Sequence, residues 1–420
     1  MRRLVAGVLA VGTCLTLFGS EPAIAQAPGP VKIGMLIELS GIFARNGREA
    51  LDGTRLYLDE IGGKAAGRSI ELLVEDTEGK PDVGLTKARK LVERDGVHML
   101  AGIVNSGVGL AVAGYAKEKK VPVIVNADFG VSALTVPGPF LNPYIFRWSQ
   151  SGTGPGQAAA DWAYKVAGWR KVVSIASDYV GGLEVNGSFT RVFCSLGGRI
   201  VQELWPPLGT PDFAPFITQI DRSADAVIEF TPGADGLRFG RQYLEFGVKL
   251  PLMDVYAQVT DEANLRQYGD RSAGWYSTIH YTAAVDTPEN KRFLAAWEKK
   301  HQRVPFDNAA DGYVGAKAIA EALKAVGGKV EDRDAFMAAM RKAEFDSPKG
   351  RVRLDQFQNI VQPQYVRKVE KVGSVLANTV IKTYPNFSQF GPWSPEEFMK
   401  YPDWKDIKGK MTDCSKVLGK

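Results

Sequence analysis

Short β-rich runs alternate with helical periodicity along most of this chain, and the alternation runs through twice. Residues 31–36 read as a strand, and residues 49–60 carry apolar positions at helical spacing. Strand 70–75, helix 83–94, strand 97–103, helix 110–118 and the β-branched strand 121–126 follow. Strands separated by helices must be joined by crossovers, and crossovers lay helices on both faces of the sheet. The order therefore predicts an α/β unit built on a parallel sheet. A second set starts after residues 146–148: helix 156–167, strand 171–177, helix 183–196, strand 200–205, helix 213–222, strand 226–230 and helix 237–246. Strands 252–255 and 275–281 close it. With 420 residues the chain exceeds what one core usually holds, so two lobes are expected.

Helices 289–301, 311–326 and 334–343 come too late to complete the second sheet alone. Returning them to the first lobe satisfies the pattern and requires three crossings, near Trp148-Ser149, Ser277-Thr278-Ile279 and Asp355-Gln356. Lobe 1 is then 31–148 plus 282–354, and lobe 2 is 149–281 plus 355–380, with late strands at 350–354 and 364–369. Residues 381–420, rich in Pro, Trp and Phe, are expected to form an irregular tail packed on one lobe.

The first residues read as a leader. Arg2 and Arg3 precede an apolar run ending at Phe18, and Ala23-Ile24-Ala25 forms a small-x-small cleavage site. The run is too short for a membrane span, so export with cleavage after Ala25 is expected, leaving no spanning segment. Cys14 leaves with the leader. Cys194 and Cys414 remain in an oxidising compartment, where a bridge and two free thiols both stay open. The net charge of +5 comes from scattered residues, with no block of one sign that would suit nucleic acid.

In open parallel sheets, ligands bind in the loops beyond the carboxyl ends of strands. Those loops are 40–47, 105–107, 127–129, 177–179, 231–233 and 256–257. Asn105-Ser106-Gly107, just before a helix, offers a hydroxyl and free helix N–H groups to an anion; the same residue types also make a plain N-cap. Phe129, Trp148, Tyr179 and Tyr256 fall at or beside such loops in both expected lobes, which points to an aromatic-lined pocket. His-Glu-x-x-His, Cys-x-x-Cys and Gly-x-Ser-x-Gly are absent, and Gly107-Val108-Gly109 lacks the third glycine of a dinucleotide fingerprint. His98, His280 and His301 are dispersed in sequence. No cofactor, metal centre or enzyme chemistry is expected.

The opening Ile33-Gly34 to Ser40-Gly41 with Gly47 and Gly53, then Glu75-Asp76, Ala88 to Leu91-Val92, Gly102 to Ser106 and Val121-Pro122-Val123-Ile124, carry a resemblance. Over residues 31–369 the chain resembles the leucine/isoleucine/valine-binding proteins, the type I periplasmic solute receptors of ABC importers. The resemblance implies two Rossmann-like lobes joined by three hinge crossovers, a monomer that closes on a small molecule, and a membrane permease as partner. It implies that the ligand carboxylate is held by the hydroxyl and backbone at Ser106 with help from Ala127, Asp128 and Phe129, and that Tyr179 contributes from lobe 2. The acidic residue that meets a ligand ammonium aligns with Tyr256, and the aromatic of the 231–233 loop is absent there. A buried ammonium without a carboxylate partner is costly, although Asp178, Asp128 or Asp254 could substitute. The expected ligand is accordingly an organic acid with an aromatic or apolar body, with branched-chain or aromatic amino acids next, and a ligand sensor of the same fold as a further reading. The candidate ligand set is Ser40, Asn46, Asn105, Ser106, Ala127, Asp128, Phe129, Trp148, Tyr179, Thr231 and Tyr256.

Overall fold

A computed structural model describes residues 29–420. The expected leader, its Ala25 cleavage point and Cys14 lie outside the described residues. The first strand–helix set comprises β1 (Val31–Ile37), α1 (Ala44–Glu60), β2 (Lys64–Ala65), β3 (Arg68–Asp76), α2 (Pro81–Arg89), β4 (Met99–Gly102), α3 (Ser106–Lys119), β5 (Val123–Val125) and β6 (Ile145–Arg147). Its sheet runs β2-β3-β1-β4-β5-β6, parallel except for the β2–β3 hairpin. β1 is buried almost throughout, as a strand covered on both faces must be.

The second set comprises α4 (Thr153–Lys165), β7 (Lys171–Ala176), α5 (Val180–Ser195), β8 (Arg199–Leu204), α6 (Ala214–Ile217), β9 (Ala226–Phe230), α7 (Ala234–Glu245), β10 (Leu252–Val255), α8 (Glu262–Tyr268) and β11 (Tyr276–Ile279). The helix expected over 213–222 shrinks to the four residues of α6, whose Pro215 suits only a first turn. The chain then adds α9 (Pro288–His301), α10 (Asp307–Ala325), α11 (Arg333–Lys342), β12 (Glu344–Ser347), β13 (Gly350–Leu354), β14 (Ile360–Val372) and β15 (Val375–Phe387). The second sheet runs β12-β13-β14-β11-β10-β9-β7-β8, and β15 pairs with β14.

α10 returns to the first lobe by packing backbone against backbone on α1. A Cβ on Gly53 would fall 1.9 Å from the Ala309 carbonyl oxygen, and one on Gly312 would fall 2.0 Å from that of Ala50. Only glycine permits this approach. β12 and β13 have a divided allegiance. They hydrogen-bond toward β14 in the second sheet, while Phe345, Val352 and Leu354 pack in the first lobe's core with Trp148 and Phe336. The lobe passages follow Arg147, Ile279 and the Asn359 bridge to Arg147.

The segment expected to be an irregular tail is more ordered than its composition suggested. β15 extends to Phe387 along a long antiparallel hairpin with β14, turning through Gly373 at φ +61°. Much of β15 is exposed, so it lacks the buried alternation that marks a strand in sequence. Three short helices follow, α12 (Pro395–Phe398), α13 (Trp404–Ile407) and α14 (Cys414–Val417). Phe390, Phe398, Trp404, Ile407, Met411 and Val417 form a small core of their own against α5, and Cys194 and Cys414 are joined in a disulfide there.

Candidate functional site

Both sheets aim the carboxyl ends of their strands at one cleft. In lobe 1 the Glu38 carboxylate, just past β1 and fully buried, accepts the backbone N–H groups of Val104 (2.9 Å) and Asn105 (3.1 Å). This ties the loop after β4 to the end of β1. Burial raises the Glu38 pKa, and the two amides oppose that. Asn105 then caps α3: its side-chain oxygen accepts from the Gly107 amide at 2.7 Å. Ser106, the first residue of α3, lines the cleft at the positive end of the helix dipole.

In this closed form the lobes leave only a small cavity between them. Lobe 1 contributes Phe43, Asn46, Val104, Ser106, Asp128 and Gly130; lobe 2 contributes Gly152, Tyr179, Gly181, Val185, Phe230, Pro232, Tyr256 and Gln258. Its lobe 2 wall is aromatic. Tyr179 stacks on Phe230 with centroids 6.4 Å apart, and Phe230 meets Tyr256 at 5.5 Å. Burial raises the pKa of both phenols, which stay neutral. The Tyr256 hydroxyl donates to the Ser151 carbonyl at 2.7 Å. Tyr256 and Ala257 both sit at positive φ (79° and 57°), a costly backbone held by the Tyr256 amide bonding Thr278.

Asp128 is the one carboxylate among these lining residues. It accepts from the Asn308 amide at 2.6 Å, and burial plus the nearby Asp311 charge push it up to about 7. Behind it lies a buried group of His280, Asp307, Asp311 and Lys349.

The lobes are closed on one another. Asn46 donates to Gln258 (3.3 Å), the Ala234 amide donates to the Ile42 carbonyl (3.1 Å), and Arg45 pairs with Asp261 (2.8 Å). The Ser132 amide donates to both Glu184 oxygens, at 2.8 and 2.9 Å.

The model of the family described as periplasmic binding protein matches residues 30–374, most of the chain. The chain belongs to the periplasmic binding protein family. This periplasmic binding protein has the type I fold and is of the leucine/isoleucine/valine-binding type. It is 37% identical to an ABC transporter substrate-binding protein from Sphaerobacter thermophilus, with a TM-score of 0.81, over 86% of this chain and 99% of that one. It is 34% identical to a solute-binding protein of an ABC transporter from Rhodopseudomonas palustris BisB5 solved in complex with 3,4-dihydroxybenzoic acid. The TM-score there is 0.80, over 86% and 98% of the two chains. The Leu/Ile/Val-binding protein homolog 6 of Brucella melitensis is 30% identical over 86% of this chain and 92% of its own. Among the described residues, no helix is long and apolar enough to cross a membrane.

Of the residues expected to touch ligand, Asn46, Ser106, Asp128, Tyr179 and Tyr256 line the cavity of this periplasmic binding protein. The structure places the other six elsewhere. Phe129 lies in the lobe 1 core beneath α3, so close that a Cβ on Gly109 would fall 2.3 Å from its ring. Trp148 stacks on Phe345 at 5.3 Å and gives its indole N–H to the Met340 sulfur. Ala127 is buried with Met35 and Ile37 below the cleft, and the Thr231 hydroxyl turns inward to the Glu229 carboxylate. Asn105 is occupied with capping, and Ser40 is exposed. The aromatic missing from 231–233 has a counterpart one residue earlier: Phe230, the last residue of β9, faces the cavity. Phe43, Phe230 and Gln258 were missed. The first two could have been found by counting strand-end and loop aromatics together; Gln258 carries no local signal.

Proposed function

We propose that this protein is the solute-binding subunit of an ABC importer whose ligand is a small carboxylic acid with an aromatic body. The observation that carries this reading is the division of the cavity: a helix N-terminus with Ser106 on one side, an aromatic wall on the other, and tyrosine at the ammonium position. A carboxylate at α3 would take charge-assisted hydrogen bonds of about 1.5–3 kcal/mol each. A ring would lie among Phe43, Tyr179, Phe230 and Tyr256.

An ammonium finds little to meet it. Asp128 alone lines the cavity: burial and the Asp311 charge push it up to about 7, one oxygen holds Asn308, and Oδ1 has no hydrogen-bond partner. Asp178 is paired with Lys408, and Asp254 holds the Thr260 amide and hydroxyl; neither lines the cavity. The dihydroxybenzoate complex of the R. palustris relative supports the same ligand class. Closure is then driven by ligand contacts made with both lobes, which only the closed form offers. The closed pair of lobe tips is what a membrane permease would read. The chain acts in the periplasm as a monomer after cleavage at Ala25, and it returns its ligand chemically unaltered.

Calorimetry with benzoate, 4-hydroxybenzoate, 3,4-dihydroxybenzoate, leucine and phenylalanine tests this. The aromatic acids are expected to bind at least ~100-fold tighter than leucine, about 2.7 kcal/mol. Leucine binding more tightly than every aromatic acid refutes the reading. Mass spectrometry of the compound that co-purifies identifies the ligand.

A further inference from the structure

We infer that Asp128 is the residue that selects among aromatic acids, and that its Oδ1 meets a hydroxyl carried on the ligand's ring. The inference rests on the aromatic-acid reading above and names the members of that class the site is built for.

Asp128 stands in the loop after β5, and the N-terminus of α3 follows β4, the parallel neighbour of β5 in the sheet. Ser106 and Asp128 thus occupy adjacent strand ends of lobe 1, and both line the cavity. One small rigid ring can reach both while lying against the lobe 2 aromatics.

The two Asp128 oxygens are unequally used. Oδ2 accepts the amide of the fully buried Asn308 at 2.6 Å. Oδ1 is buried, and among the described residues no donor reaches it. Three other polar side chains of the lining are committed elsewhere. The Asn46 amide donates to Asn308 (2.8 Å) and to Gln258 (3.3 Å), the Gln258 amide donates to the Tyr256 carbonyl (3.2 Å), and the Tyr256 hydroxyl is spent on Ser151. A proton on Oδ1 does not remove the deficit. It exchanges a missing donor for a missing acceptor, and either is unfavourable in a closed pocket.

The partner this atom lacks defines the ligand group. Burial and the Asp311 charge push Asp128 up to about 7, so carboxylate and carboxyl are both populated near neutral pH. A hydroxyl serves both forms, donating to the first and accepting from the second. An ammonium is a donor only and serves the carboxylate alone. An unsubstituted ring serves neither. A site built around a ligand hydroxyl rejects the analogue that lacks it, because a buried polar atom is then left unpaired.

The test is calorimetry on the full mature protein with benzoate, with ortho-, meta- and para-hydroxybenzoate, and with the matching fluorobenzoates, whose fluorine takes the hydroxyl's place without its hydrogen. Phenylpropionate and phenylalanine, a pair that differs by the ammonium, run alongside. Wild type is expected to bind one hydroxybenzoate ~10- to 150-fold tighter than benzoate and than its fluoro counterpart. In Asp128→Ala that ratio should fall to about one, while benzoate itself still binds. Equal binding of benzoate and all three hydroxybenzoates to wild type overturns the assignment and leaves the aromatic-acid reading standing; a trapped water then satisfies Oδ1. Phenylalanine binding more tightly than phenylpropionate and every hydroxybenzoate gives Asp128 to an ammonium and also overturns it. Failure of every aromatic acid to bind removes both readings. The wild-type series decides even if D128A folds poorly.

Discussion

Gly233 is where the closed state can be tested without touching the ligand. It sits at φ +60°, ψ −134°, immediately before α7, and faces the other lobe. A Cβ there would fall 2.5 Å from the Ile42 carbonyl oxygen, which also accepts the Ala234 amide at 3.1 Å. Gly233→Ala then has two separable costs. The backbone strain is about 1–3 kcal/mol and is present in open and closed forms alike. The collision exists only when the lobes meet. Relieving it costs about 1–3 kcal/mol of overpacking, and losing the Ala234 hydrogen bond adds about 0.5–1.5 kcal/mol. Closure is therefore opposed by about 2–4 kcal/mol, and ligand binding should weaken by ~30- to 1,000-fold. Gly247→Ala is the control. It has the same backbone sign, φ +62°, with nothing within 4 Å of the added carbon. Isothermal calorimetry with the acid that best stabilises wild type should show unchanged affinity for G247A and the full loss for G233A, while both lower the melting temperature of the free protein. Equal affinities in the two variants would mean that residues 42 and 233 do not meet in the bound state.

Ser106→Ala should weaken carboxylate ligands by ~10- to 150-fold, the value of one charged hydrogen bond, and leave the free protein's melting temperature unchanged; calorimetry that finds no loss removes Ser106 from the site. Ligand affinity should also depend on pH through Glu184. Burial between the lobes pushes it up to about 8 in the closed form, from an ordinary 4.5, so closure takes up a proton. Affinity is then highest near pH 5, falls as pH rises toward 8 and levels above it. Asp128, pushed up to about 7, acts with the same sign. Glu184→Gln should flatten most of the slope in a calorimetric pH series, and an unchanged profile contradicts the assignment. Reducing Cys194–Cys414 opens a constraint spanning 220 residues, so stability should drop by about 2–5 kcal/mol in denaturant titrations with and without reductant. No shift in midpoint would mean the tail stays docked without its tether.

The local chemistry of the site was legible wherever one residue and its neighbours decide the outcome. Asn105 and Ser106 could be read at the head of a helix because N-capping depends on a few consecutive residues. Phe129 and Phe230 show where that reading ends. Phe129 stands in the loop after β5 and Phe230 ends β9, yet Phe129 fills the space that Gly109 leaves beneath α3, while Phe230 turns toward the cleft and stacks on Tyr179. Nothing within a few residues of either distinguishes them. The disulfide partners and the His280–Asp307–Asp311 group are likewise assembled from distant elements.

By itself, the amino-acid order determined the alternation of strands and helices, and with it two lobes with a cleft at the strand ends. Those follow from side-chain periodicity and the handedness of crossovers, which act over tens of residues. The expectation of a parallel sheet holds for the first lobe apart from the β2–β3 hairpin, whereas the second sheet is mixed, with β11–β14, β13–β14, β12–β13 and β14–β15 antiparallel. Tertiary packing alone decided which aromatics line the cavity, which became core, and that late strands such as β12 and β13 serve both lobes. The reason is that burial is a property of whichever surfaces meet, and the surfaces that meet here are hundreds of residues apart along the chain.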